Sequence, residues 1–259
     1  MSRRHIRLLG TGSLLAILLG PAACSSPAPP PPTGGGKTVD AATTGSLSGR
    51  AMFTGTPPAL ETLRMGFDKA CVAGAGPNPQ SDAVLIGADG ALKNAFVYVK
   101  EGLDPGYSFD IPASAVVLDQ RGCIYTPRVL GVRAGQPFEV LNSDETLHNV
   151  HALPMANQDF NQGTPKKGSK LTRTFTVPEV MVRFKCDVHP WMAAYIGVVA
   201  HPFFAVTDAA GAFEIKGLPP GTYTLEAWHE RFGKRTATVT IDPKGAQTAT
   251  FSFAASPGT

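Results

Sequence analysis

One stretch of the chain gathers three metal-ligand side chains. Phe184-Lys-Cys-Asp-Val-His-Pro-Trp-Met192 sets Cys186, His189 and Met192 with two residues in each gap. Upstream, Asn142-Ser-Asp-Glu-Thr-Leu-His148-Asn-Val adds a second imidazole. Two imidazoles, one thiolate and one thioether make a soft N/S donor set. Trigonal His₂Cys with a weak axial Met is the preference of electron-transfer copper. Zinc more often gathers further Cys or His, and a Met ligand is unusual for it. Each residue also has a plainer reading: Cys186 alone would be a buried structural thiol, and Met192 alone would be core packing. His151 lies three residues beyond His148, on the opposite face of a strand, so it reads as a surface or rim histidine. His201 and His229 fall outside the constellation.

To share a site, these side chains need rigid strand ends. Val182–Lys185 and Ile196–Val199 read as strands flanking the Cys186–Met192 loop, and Phe138–Leu141 leads towards His148. Similar short runs, alternating or rich in β-branched residues, recur from Ser46–Phe53 to Thr248–Phe253, Ala83–Ile86 among them. Turn signals such as Gly87-Ala-Asp-Gly90 and Leu218-Pro-Pro-Gly221 separate them. The 259 residues are 43% hydrophobic and only 17% charged, with 28 Gly and 23 Pro, which suits strands and turns rather than long helices. The expected fold class is all-β, built of sandwiches. Pro154–Lys170, long and polar, reads as an exposed loop.

The upstream His148-Asn149 and the Cys…His…Met loop together resemble the cupredoxins, the type 1 blue copper proteins. The loop, with Pro190 directly after the histidine, is most similar to the amicyanin type. The resemblance covers residues 113–201 and implies a Greek-key β-sandwich. It implies one type 1 copper ion held by His148, Cys186 and His189 as equatorial ligands and Met192 as the axial one. It also implies that Asn149 hydrogen-bonds across to the ligand loop, and that Gly135 forms the turn before the strand leading to His148. His189 is expected to present a ring edge to solvent, with Pro190, Trp191 and Ala193 as an apolar rim where redox partners dock. Core packing between two sandwiches is the equal alternative for Trp191.

Phe204 to His229 holds an Asp208…Gly211 turn, Phe213, Leu218-Pro-Pro-Gly221 and Tyr223. This is similar to the carboxypeptidase regulatory-like family, a transthyretin-like (Ig-like) sandwich. Gly45-Ser-Leu-Ser-Gly49 and Ala95-Phe-Val-Tyr-Val99 fit that family's early strands yet precede the copper segment. The expectation is a discontinuous sandwich, residues 45–112 and 202–254, with the cupredoxin of residues 113–201 inserted. Tandem domains are the alternative.

The N-terminus reads as an address. Arg3, Arg4 and Arg7 precede a short apolar run, then Pro21-Ala-Ala-Cys24. That run is too short to span a bilayer and is flanked as a signal peptide is. Cys24 after small residues resembles a lipobox, which implies cleavage after residue 23 and lipidation of Cys24. An ordinary secreted protein is the alternative, and Pro21 stands where the motif usually has Leu. Residues 24–44, Pro- then Gly-rich, read as a tether. The implied location is the periplasm, anchored to a membrane, with the outer membrane favoured because Ser25 follows Cys24. Removing residues 1–23 takes Lys+Arg from 23 to 20 against 20 Asp+Glu. A formally neutral mature chain argues against nucleic-acid binding.

Cys71 and Cys123 remain, in an oxidising compartment where pairing is the simplest assignment. Two buried thiols or a second metal site are the alternatives. The expected function is a membrane-tethered one-electron carrier meeting its redox partners transiently. A copper-binding, sensing or structural envelope module is the alternative. An enzyme is not expected, because multicopper catalysis needs more histidines than the six present, one of which is His5.

Overall fold

The computed structural model describes residues 36–255. The leader and Cys24 lie outside the described residues. Among the described residues sixteen strands follow in chain order. They are β1 (Gly45–Thr54), β2 (Phe96–Glu101), β3 (Val116–Arg121), β4 (Ile124–Thr126), β5 (Val129–Arg133), β6 (Pro137–Asn142), β7 (His148–Leu153) and β8 (Phe160–Thr164). Then come β9 (Lys170–Thr174), β10 (Glu179–Lys185), β11 (Ala193–Val199), β12 (Phe204–Val206), β13 (Ala212–Leu218), β14 (Gly221–His229), β15 (Gly233–Ile241) and β16 (Ala246–Ala254). Between β1 and β2 the described residues hold one α-helix, α1 (Lys69–Ala75), and a short 3-10 turn at Ala88–Gly90. Among the described residues no helix is long and apolar enough to cross a membrane.

The strands form two sandwiches. In the outer one, the sheet β13-β1-β16 faces the sheet β12-β2-β14-β15. Alternation drives it: β1 buries Leu47, Ala51 and Phe53 while the residues between them are exposed or half-buried. These side chains meet Val97, Ile215, Leu225, Phe251 and Phe253 in one core. In the inner sandwich, the sheet β5-β11-β10-β7-β8 faces β4-β3-β6-β9. Leu118, Phe138, Val140, Val150, Phe184 and Ile196 fill its core. All its strands fall between β2 and β12, so the chain leaves the outer sandwich, builds the inner one, and returns.

The two sandwiches meet face to face. Phe96 is fully buried and packs with Phe204 over β5 and β11. The surface below must be bare backbone. A Cβ at Gly197 would lie 2.3 Å from the Phe96 ring, and one at Gly131 2.2 Å from Phe204. Arg128, at the entry to β5, closes the edge by pairing with Asp82 and with Glu230 of the outer sandwich.

Several expectations change. Residues 36–44 do not hang free as part of a tether. Lys37 bridges to Tyr107 through backbone hydrogen bonds and lies 4.6 Å from its ring centroid. Residues 160–164, expected in a loop, form the edge strand β8 on β7. Its side chains are mostly exposed, so backbone pairing rather than an apolar pattern makes the strand. Ala83–Ile86 is not a strand and makes a single bridge from Ile86 to Leu92.

Candidate metal centre

His148 opens β7, and Cys186 follows the end of β10. β10 pairs with β7 by Arg183↔Leu153, Phe184↔Ala152 and Lys185↔His151, which brings the end of β10 beside β7. The loop to β11 folds back on itself: the Met192 N–H donates to the His189 carbonyl at 2.9 Å, and the Cys186 N–H to the Met192 carbonyl at 3.4 Å. His148, His189, Cys186 and Met192 are all at most 1% exposed.

Cys186 Sγ and one ring nitrogen each of His148 and His189 lie within 4.8 Å of one another. The two Nδ1 atoms are 2.9 Å apart, and Cys186 Sγ is 3.9 Å from His189 Nδ1. Each ring's far nitrogen meets a carboxylate. His148 Nε2 is 2.9 Å from Asp144 Oδ2, and His189 Nε2 is 3.1 Å from Asp68 Oδ2. That engagement places the ring proton on Nε2 and turns both Nδ1 lone pairs inward. Two inward lone pairs beside a thiol suit a shared cation. The donor set suits a copper ion. Burial pushes the His148 pKa down, but the Asp144 hydrogen bond and the Cys186 sulfur outweigh it and raise it to about 9. Burial and the neighbouring His148 charge hold His189 low, against Asp68. The Cys186 thiol is likewise lowered: burial raises it, but His148 and the Asn149 N–H, 3.4 Å from Sγ, outweigh that and favour thiolate.

Asn149 reaches across to the ligand loop, its Oδ1 accepting from the Asp187 N–H. Tyr125 ties the same two strand ends together. Its hydroxyl lies 2.7 Å from the Asn149 carbonyl and 3.2 Å from that of Lys185. Gln120 adds a third tie, donating to the Asn149 carbonyl at 3.1 Å. His151 points away and meets Asp187 at 2.9 Å. Gly135, at φ 88°, makes the turn into β6.

His189 does not present a ring edge to solvent; it is 0% exposed. The chain between β1 and β2 covers it. Asp68 caps α1 by accepting from the Ala70 and Cys71 N–H groups at 2.8 and 3.2 Å. Cys71 is disulfide-bonded to Cys123 with a Cα–Cα distance of 5.3 Å, which holds this cover against the inner sandwich. Phe67, 67% exposed, stacks over the His189 ring at 6.2 Å and leans on Trp191 at 5.1 Å. Trp191 is half-buried beneath the cover and donates to the Cys123 carbonyl at 2.8 Å. Its place is therefore in neither a free rim nor the seam between sandwiches. Pro190 stays exposed.

Sequence reasoning missed Asp68, Asp144, Tyr125 and Gln120. Only Asp144, four residues before His148, had a positional cue. Asp68 could have been approached through the pairing of Cys71 with Cys123.

Residues 193–254 match the carboxypeptidase regulatory-like domain. The matched stretch opens in β11 of the inner sandwich and continues through β12–β16. No curated protein matches the chain in sequence. Among solved structures, the chain is similar to a copper-containing nitrite reductase from Thermus scotoductus, at 22% identity and a TM-score of 0.32. That match covers 38% of this chain and spans only 25% of the reductase. A purple cupredoxin from Nitrosopumilus maritimus matches at 22% identity and a TM-score of 0.26, covering 29% of this chain and 82% of that one. An amicyanin variant in its Cu(I) form matches at 22% identity and a TM-score of 0.30, covering 41% of this chain and 99% of that one.

Proposed function

We propose that the protein is a cupredoxin-type one-electron carrier, tethered to a membrane of the cell envelope by lipid on Cys24. The observation that carries this is the buried convergence of two Nδ1 atoms and one cysteine sulfur, with both Nε2 atoms already engaged. Copper bound there would supply the Cu(II)/Cu(I) couple. His148, Cys186 and His189 would hold it, with Met192 as the weak fourth ligand. The protein's own contribution is rigidity. Tyr125, Asn149 and the loop's hydrogen bonds fix the donors, so little has to move when the charge changes. Burial of all four ligands excludes water. The reading includes no catalysis.

The cover over His189 favours a second reading, a copper-binding or sensing module with no dedicated electron transfer. Self-exchange separates the two, being fast for a carrier and slow for a store. The copper-loaded soluble protein is expected to show an intense visible thiolate-to-copper band. Cys186→Ala should abolish that band and leave the β-rich circular dichroism unchanged. An equally coloured Cys186→Ala protein rules out the site.

A further inference from the structure

We propose that Asp68 and Asp144 act as a matched pair of positioning residues that strengthen both histidine donors and hold the reduction potential of the bound copper down. The inference rests on the copper reading above. A histidine that donates its remote N–H to a carboxylate is oriented by it and becomes a more basic metal ligand. Stronger donation, together with two negative charges beside a dry site, favours the more highly charged ion, Cu(II) over Cu(I).

Both carboxylates are built in place. Asp144 accepts from the Gly122 and Cys123 N–H groups at 2.7 and 2.8 Å. Those two residues form the β3–β4 turn, and both have positive φ. Asp68 accepts from the α1 N-terminus through Oδ1, and from the Thr146 hydroxyl at 2.9 Å through the same Oδ2 that meets His189. The Cys71–Cys123 disulfide joins the two carriers, since each cysteine's N–H binds one of the two carboxylates. Asp68 also lies in the chain between β1 and β2, 121 residues from His189. With Cys71, whose Sγ is 3.5 Å from His189 Nε2, it brings the chain outside the inner sandwich onto a ligand.

Voltammetry on copper-loaded Asp68→Asn and Asp144→Asn tests this. Both remove the charge facing the imidazole. Asp68→Asn keeps an oxygen for the Ala70 and Cys71 N–H groups, and Asp144→Asn keeps one for either the Gly122 or the Cys123 N–H. Each variant should stay coloured and favour Cu(I) by roughly tenfold more than the wild type, an upward shift of about 59 mV for one electron. Glu145→Gln removes an exposed carboxylate near Asp144 that contacts neither histidine, and should leave the potential in place. Coloured Asn variants at the wild-type potential overturn the inference while the copper reading stands. So does an equal shift in Glu145→Gln. A wild-type protein with no charge-transfer band removes the copper reading and the inference together. If Asp68→Asn does not fold, Asp68→Ser, whose hydroxyl still caps α1, carries the same expectation.

Discussion

At the scale of single residues, Met192 separates a ligand from a packing residue. It is 1% exposed and lies in the inner core, so burial alone fits either role. A weak axial sulfur tunes the potential more than it holds the metal. Met192→Leu should raise the potential with copper and colour retained, and Met192→Gln, supplying a harder oxygen, should lower it. Two unshifted potentials would make Met192 a packing residue only. His229 makes a different residue-scale prediction. It is 1% exposed, its Nε2 has no hydrogen-bond partner, and it stacks on Phe232 at 4.8 Å. Burial, and then the charges of Arg128 and Arg231, depress its pKa to about 4. The unfolded chain therefore takes up this proton near pH 6.5 while the folded protein refuses it until about 4. Stability should fall as pH drops through that window, by about 3 kcal/mol from this group. Urea melts of His229→Leu should show a flatter acid slope; an unchanged slope rejects the assignment.

At the scale of elements, the site depends on keeping β7 and the end of β10 in register. Tyr125 bridges the Asn149 and Lys185 carbonyls from β4, a strand of the facing sheet. Tyr125→Phe keeps the ring and strips the hydroxyl, leaving the Asn149 carbonyl only the Gln120 tie from the facing sheet. The cost should be about 1–3 kcal/mol, or a few degrees in the melting midpoint. The colour should persist, because no ligand is removed. A melting midpoint equal to wild type would show that Gln120 alone suffices.

At the scale of the whole molecule, the two sandwiches are joined by an apolar seam and one charged clamp. Arg128 and Glu230 are 8% and 6% exposed at the side chain. Arg128→Ala would leave Glu230 buried without its partner and should cost about 3–5 kcal/mol. Arg128→Ala/Glu230→Ala, which removes both charges, should recover part of that loss. Chemical denaturation of Arg128→Ala, Glu230→Ala and the double variant measures the coupling, and a double-variant loss equal to the sum of the two single losses would mean the clamp adds no pairwise energy.

Alternation and turn chemistry are local, so the all-β class, most strand positions and the Cys186–His189–Met192 loop could be read directly from the sequence. β8 could not, because an exposed edge strand such as Phe160–Thr164 is made by backbone pairing that leaves no apolar pattern. The cover over His189 was equally silent. Asp68 and His189 are 121 residues apart, and no local periodicity records which distant carboxylate will meet an imidazole. Composition placed residues 36–44 in a tether, whereas backbone hydrogen bonds to 106–108 attach them to the fold. The sequence determined which atoms were available as ligands. The tertiary structure decided how they are shielded and which charges face them, because burial and electrostatic contact arise only when separate segments close on one another.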